Sequence, residues 1–164
     1  MSDNGFLIRL AEDDDDFILE LIPRFVDFPL PPWRRRNECI EGIRAHLRQQ
    51  LDQDTPNSFV FVAENDEGKR VGFMHLQKTQ DYFTGRPNCH IADLAVARVY
   101  ERRGVGNALL AHAEQWAREH RCHLMTLAVF PGNQPARGLY DAAGYAPDLL
   151  RMAKPVGAAR NGGN

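Results

Sequence analysis

The sequence has no apolar run approaching the roughly 20 residues that a membrane-spanning helix needs, and no basic stretch precedes the short apolar segment at residues 6–10. Neither a membrane partner nor a secretory leader is expected, and the reading is of a cytoplasmic protein. An excess of positive charge is also missing: 20 Lys and Arg stand against 22 Asp and Glu, a formal net charge of -2. Nonspecific attraction to phosphate backbones needs such an excess, so nucleic acid is not an expected partner. Cysteine is sparse: Cys39, Cys89 and Cys122 are odd in number and far apart, and read as free thiols rather than a disulfide framework. His90 follows Cys89 and His123 follows Cys122, but neighbours on a strand point to opposite faces. Neither pair is a ready chelate, and no metal is expected. Internal repeats and interdomain linkers are absent as well. The 164 residues suffice for one domain with a hydrophobic core.

What is present is a regular succession of elements. A β-prone run at 6–10 is followed by Asp13, Asp14, Asp15 and Asp16, then by Phe17, Ile18, Leu21, Ile22, Phe25 and Val26 at helical spacing. Carboxylates at a first helical turn complement the helix dipole, so the acidic cluster reads as N-terminal capping and solubility rather than a cation site. Pro29, Pro31 and Pro32 forbid helix continuation, and a second helix follows through Ile40, Ile43, Leu47 and Leu51. Ser58–Glu64 and residues 70–79, joined by a turn with Gly68, predict an antiparallel hairpin. Beyond come a loop at 81–88, a strand at 89–96, an amphipathic helix carrying Val105, Leu109, Ala113, Trp116 and Ala117, a strand at 124–129 and a short helix at 135–143. Strand, helix, strand implies a right-handed parallel crossover. A last strand is expected at 148–155, with residues 157–164 a disordered tail after a domain spanning 1–156.

Tyr100-Glu101-Arg102-Arg103-Gly104-Val105-Gly106 lies between a strand and an amphipathic helix. A loop in that position aims unpaired amides and the positive end of a helix dipole at one point, which suits an anion. Glycine at 104 and 106 lets a phosphate approach the main chain, and Arg102 or Arg103 can pair with its oxygens. The loop lacks the Gly-Lys-Ser/Thr ending of nucleoside-triphosphate sites, and Leu109 stands where a dinucleotide fingerprint needs a third glycine. Further on, Asn133 is a good N-cap, Pro135 suits a first turn and Gly144 a helix end.

Taken in order, Asp93-Leu94-Ala95-Val96, then Gly104-Val105-Gly106 with Leu109 and Leu110, then Asn133, Ala136, Leu139, Tyr140, Gly144 and Tyr145, the pattern resembles the GNAT superfamily of acyl-CoA-dependent N-acyltransferases. The match is close over the C-terminal half and extends to the rest only in the order of elements. The resemblance implies a single α/β (α+β) domain, with a central mixed, mostly antiparallel twisted sheet of six to seven strands flanked by about four helices. It implies that acetyl-CoA is the co-substrate, held at Leu94, Ala95, Val96, Arg102, Arg103, Gly104, Val105, Gly106, Asn107, Asn133 and Tyr140. Glu101 stands where the family's Q/R-x-x-G-x-G/A loop has Gln or Arg, which leaves backbone amides as the main contacts. The strand through Leu94–Val96 is expected to splay from the next through a bulge, freeing main-chain groups for the pantetheine arm and an amide for the thioester oxygen.

The implied reaction is transfer of acetyl to a primary amine of a small molecule or peptide, by direct attack through a tetrahedral intermediate. Tyr140 is the catalytic residue the resemblance assigns, protonating the departing thiolate; a phenol stays protonated at neutral pH. Its alternative role is helix core beside Leu139. The general base is left open among Asp93, His90, His75, Glu64 and a water chain, because Ala92 occupies the position where some family members carry Glu. The acceptor is expected near residues 25–36 and 81–88, where Phe28, Trp33, Tyr82 and Phe83 are aromatic and Arg34, Arg35 and Arg36 suit a carboxylate. A homodimer is the assembly the resemblance suggests. The rival reading is a non-catalytic coenzyme-A-binding sensor or scaffold domain.

Overall fold

The computed structural model describes residues 5–52 and 54–157. Strand β1 (Leu7–Leu10) is followed by α1 (Asp15–Glu20), a 3-10 segment (Ile22–Val26) and α2 (Arg36–Asp52). The strands β2 (Ser58–Glu64), β3 (Arg70–Gln80) and β4 (Pro87–Val96) come next, then a 3-10 turn (Arg98–Tyr100), α3 (Val105–Glu119), β5 (Leu124–Leu127) and α4 (Gln134–Ala142). The expected stripe through Val26 divides into α1 and the 3-10 segment because Pro23 has no amide to donate to the preceding turn.

The sheet has strand order β1-β2-β3-β4-β5, antiparallel from β1 to β4 and parallel between β4 and β5. The sheet is mixed, as expected, but the expectation of six to seven strands is corrected to five among the described residues, flanked by four helices. Residues 148–155 form no strand. Pro147 and Pro155 bracket the segment and cannot donate to a ladder, and Leu149, Leu150 and Met152 lie exposed against no second layer. The expected tail falls outside the described residues apart from Gly157.

Alternation along the strands sends side chains into two layers. On one face Phe61, Met74, Leu76, Cys89 and Ile91 pack against Val105, Leu109, Leu110, Ala113 and Trp116 of α3, with α4 beside them. On the other, Val62, Phe73 and Ala95 meet Ile18, Ile22 and Leu47 of α1, the 3-10 segment and α2. Phe25 and Phe73 meet edge to face at 5.9 Å between centroids. Leu109 and Leu47 are fully buried, each contributing about 2 kcal/mol from removal of apolar surface. The three cysteines are free thiols, and burial pushes that of Cys89 up to about 12.

Asp15 and Asp16 stand in the first turn of α1, where the dipole favours carboxylates, but Asp14 is used differently. Asp14 holds the N-cap position of α1 without a side-chain cap bond. It is 2% exposed, and its carboxylate accepts from Arg9 at 2.7 Å, from Arg70 at 3.3 Å and from the Glu12 amide at 2.8 Å. One carboxylate thus ties β1, β3 and the α1 entry together.

Candidate functional site

Two breaks in the sheet define the site. β4 pairs with β5 only from Asn88 to Ile91, opposite Leu124 to Leu127, and then runs on to Val96 without β5 beside it. Against β3 the register slips: Asp93 faces His75 but Ile91 faces Leu76, so Ala92 is the extra residue of a bulge. Beyond the bulge, β3 still holds β4 on its inner edge, and Ala97 N–H donates to Val71 O. Main-chain groups alternate sides along such a strand, so those of Ala95 turn toward β3 while those of Leu94 and Val96 turn to the open edge. The Val96 carbonyl is taken there by Arg24 Nε at 3.1 Å.

The N-terminus of α3 lies close in sequence to that edge. Gly104 is the N-cap, with φ +85, a left-handed conformation that costs a side-chain-bearing residue about 1 kcal/mol or more. Arg102 is also left-handed, at φ 60. The first intrahelical bond runs from Ala108 N–H to Gly104 O, so the amides of Val105, Gly106 and Asn107 in the first turn have no intrahelical acceptor. Arg102, Arg103 and Asn107 are exposed around them, and Arg103 lies over the Tyr100 ring at 5.7 Å. Such a turn suits a phosphate group. Gly106 has a second reason to lack a side chain: a Cβ there would come within 2.9 Å of Leu139 Cδ2 on α4.

Glu101 is engaged elsewhere. Its carboxylate pairs with Arg24, which also donates to Asp27 at 2.6 Å, and Arg98 pairs with the same Asp27. The Arg24 guanidinium therefore links the open edge of β4, the loop before α3 and the 3-10 segment. This residue was not found from sequence, since its partners lie three, 72 and 77 positions away.

On α4, Asn133 Oδ1 accepts from Ala136 N–H at 3.3 Å, capping the helix and leaving the Nδ2 group as the one a ligand would meet. Tyr140 packs partly buried against the α3 layer, its ring 5.7 Å from that of Tyr145. Desolvation raises its phenol above the ordinary value, so it carries its proton at neutral pH. Core packing and a retained proton thus coexist in this side chain.

Residues 23–145 match the sequence model of the acetyltransferase (GNAT) family. The chain belongs to that family. It is 28% identical over 114 residues to an uncharacterized N-acetyltransferase, YhfO, of Bacillus subtilis, covering 70% of this chain and 74% of that protein. It is also 34% identical over 90 residues to streptothricin acetyltransferase A of Bacillus subtilis, about half of each chain. Among solved structures it resembles a putative acetyl transferase from Pyrococcus furiosus, with TM-score 0.72, 28% identity, and coverage of 92% of this chain and 99% of that one. The chain is thus a GNAT N-acyltransferase, a family whose co-substrate is acetyl-CoA.

Within this GNAT domain the candidate bases separate. Glu64 is held by Arg9 at 2.7 Å on the β1 side of the sheet. His90 Nδ1 meets Thr126 Oγ1 at 2.8 Å, and burial holds its ring below the ordinary histidine value. His75 and Asp93 come together, Nδ1 to Oδ2 at 3.0 Å, on the face under α2. His46, His75 and Asp93 each offer a ligand atom within 4.8 Å of the others. Both ring nitrogens of His75 are already bonded, the second to Ser58 Oγ at 2.5 Å, so a cation held there would displace one of these bonds. Beside the Pro-rich segment, Trp33, Arg34, Arg35, Glu38, Ile43 and Phe130 line a cleft of about 350 Å³. No helix among the described residues is long and apolar enough to cross a membrane.

Proposed function

We propose that this GNAT domain transfers acetyl from acetyl-CoA to the primary amine of a small molecule or peptide, by direct attack of the amine on the thioester. The observation that carries the reading is the open edge of β4 past Ile91, near in sequence to a helix N-terminus with unpaired amides. In this reading the amides of Gly104, Val105, Gly106 and Asn107 take the pyrophosphate, helped by Arg102 and Arg103. The Leu94 main chain and the Val96 amide pair with the pantetheine arm as a missing strand would, with Ala95 spacing the two, while the Val96 carbonyl stays with Arg24. The Leu94 amide faces the thioester oxygen and steadies the negative charge that develops there. Asn133 Nδ2 binds the arm, and Tyr140 gives its proton to the departing sulfur.

The acceptor enters from the cleft between Trp33 and Phe130, where Glu38 attracts an ammonium group and Arg34 and Arg35 a carboxylate or phosphate. The streptothricin acetyltransferases among its relatives support an amine-bearing small molecule. The test is acetyl-CoA-dependent thiol release across a panel of amino acids, peptide N-termini, aminosugars and polyamines. Release with at least one class is expected; tight acetyl-CoA binding with no amine-dependent release would favour the sensor reading instead.

A further inference from the structure

Beneath α2, where β3 and β4 lie side by side, two hydrogen-bond acceptors face each other. Ser58 Oγ of β2 donates to Gln50 Oε1 of α2 at 3.0 Å and meets His75 Nε2 of β3 at 2.5 Å. A serine hydroxyl has one hydrogen, so the hydrogen in the second bond belongs to His75 Nε2. A neutral imidazole carries one N–H, which leaves Nδ1 with its lone pair. That lone pair looks onto Asp93 Oδ2 of β4 at 3.0 Å, and an ionised carboxylate has no hydrogen to offer. The His75 side chain is fully buried and that of Asp93 is 12% exposed, so water is largely kept from the pair. Two buried acceptors at that distance need a cation between them.

A proton would meet that need with these two atoms alone. The cluster has a third member: one ligand atom from each of His46, His75 and Asp93 lies within 4.8 Å of the other two, and His46 stands exposed on α2 with its ring centroid 6.4 Å from that of His75. Tetrahedral metal bonds of about 2.0–2.2 Å hold neighbouring ligand atoms roughly 3.3–3.6 Å apart. The His75 and Asp93 atoms are near that spacing already, and the exposed His46 ring has only to swing inward. The surrounding bonds fit the same purpose. A ligating histidine donates its other ring N–H to a fixed acceptor, which sets the tautomer and aims the free nitrogen at the ion. Ser58, itself held by Gln50, is that acceptor for His75.

We infer that His46, His75 and Asp93 bind one divalent metal ion of the zinc type, with water in the fourth position on the side of the exposed His46. Two imidazole nitrogens and one carboxylate oxygen suit zinc, whereas calcium and magnesium ask for a shell of oxygens. The ion takes the place of the direct contact between His75 and Asp93 by bonding to both atoms, and the bonds to Ser58 and Gln50 stay as they are. It joins α2 to β3 and β4, and so fastens the helix that carries Glu38 and Ile43 of the cleft. Its three ligands sit on three elements and share no local spacing, which is why the sequence gave no sign of it. The site stands whether or not the chain transfers acetyl.

The test is calorimetric titration of zinc chloride into the full, untagged chain after treatment with a chelator. One equivalent bound at micromolar affinity or tighter is expected, and cobalt(II) in its place should show the visible bands of a four-coordinate site without a thiolate charge-transfer band. His46→Ala, a change at an exposed position, should weaken zinc by more than about a hundredfold, beyond the cost of losing an outer partner. Asp93→Asn sets an amide N–H opposite His75 Nδ1, which satisfies the lone pair without a cation, so zinc uptake is lost while the melt of the zinc-free protein shows the fold kept. Cys39→Ser, a thiol on the same helix, should leave the affinity unchanged. Zinc should raise the melting midpoint of the wild type and not that of His46→Ala. No zinc uptake at submillimolar concentration, uptake unchanged in either His46→Ala or Asp93→Asn, loss of uptake in Cys39→Ser, or a preference for magnesium or calcium would overturn the site.

Discussion

At the scale of single residues, Tyr140 shows how burial and chemistry can favour the same side chain. Desolvation raises its phenol, which keeps the proton in place at neutral pH, as the proposed donation to sulfur requires. Tyr140→Phe keeps the ring packing against the α3 layer and removes only the donor. It is expected to lower kcat by about a hundredfold while changing the acetyl-CoA dissociation constant little, measured by steady-state thiol release and calorimetry. Equal turnover would remove Tyr140 from the chemistry. Gly104 is a different kind of residue: nothing lies within 4 Å of a built Cβ, so its constraint is the positive φ alone. Gly104→Ala should cost about 1 kcal/mol in chemical denaturation and weaken acetyl-CoA binding by disturbing the first-turn amides. Local spacing made Gly104 and Asn133 legible as candidates, because loop and cap are short-range patterns, while Tyr140 came from the family resemblance. His75 and Asp93 stood among the candidate bases, but nothing local joined them to each other or to Ser58, since those hydrogen bonds span 18 and 17 positions.

At the scale of elements, the decisive feature is the end of pairing between β4 and β5. Four residues of β5 face four of β4, and the longer strand continues alone. Such an edge would invite another strand, but Arg24 occupies its last carbonyl and anchors the same guanidinium to Asp27 and Glu101. Glu101, read from sequence as a lost ligand contact, is instead part of the fastening that holds the α3 entry against the 3-10 segment. Arg24→Ala should therefore raise KM for acetyl-CoA by about tenfold, roughly 1.4 kcal/mol, with a smaller effect on kcat. Initial rates at varied acetyl-CoA check this, and an unchanged KM would show that the loop holds its shape without the arginine. The correction at residues 148–155 belongs to the same scale. Apolar residues alone do not make a strand where prolines bracket the segment and no ladder partner stands alongside.

For the whole molecule, Asp14 supplies the clearest pH dependence. Burial works to raise its carboxyl, but bonds from Arg9, the Glu12 amide and Arg70 outweigh that and hold it below the usual carboxylate value. The folded chain thus binds this proton less tightly than the unfolded chain. The resulting stabilisation is complete above the unfolded carboxylate pKa near ~4 and drains away as pH falls through the lower folded value. Asp14→Asn should lose about 1–2 kcal/mol at neutral pH, because two part-exposed guanidinium groups lose a charged partner while Arg9 keeps Glu64, and should flatten the acid limb of stability. Denaturant titrations of both proteins from neutral to acid pH measure this; parallel curves would show that Asp14 does not set that limb.

The sequence by itself determined the class of the molecule: helical and alternating periodicities, a glycine loop before an amphipathic helix, and the cap that opens α4 are all encoded within a few residues of one another. Their order was enough to carry the family resemblance. The tertiary structure alone decided that the sheet has five strands, that Glu101 serves Arg24, and that Asp14 joins three elements instead of capping one. It alone joined Gln50, Ser58, His75 and Asp93 from four different elements. The physical reason is range: propensity and amphipathicity act over one or two turns, whereas a hydrogen bond between strands depends on register, and register is set only when the two faces of the sheet are packed.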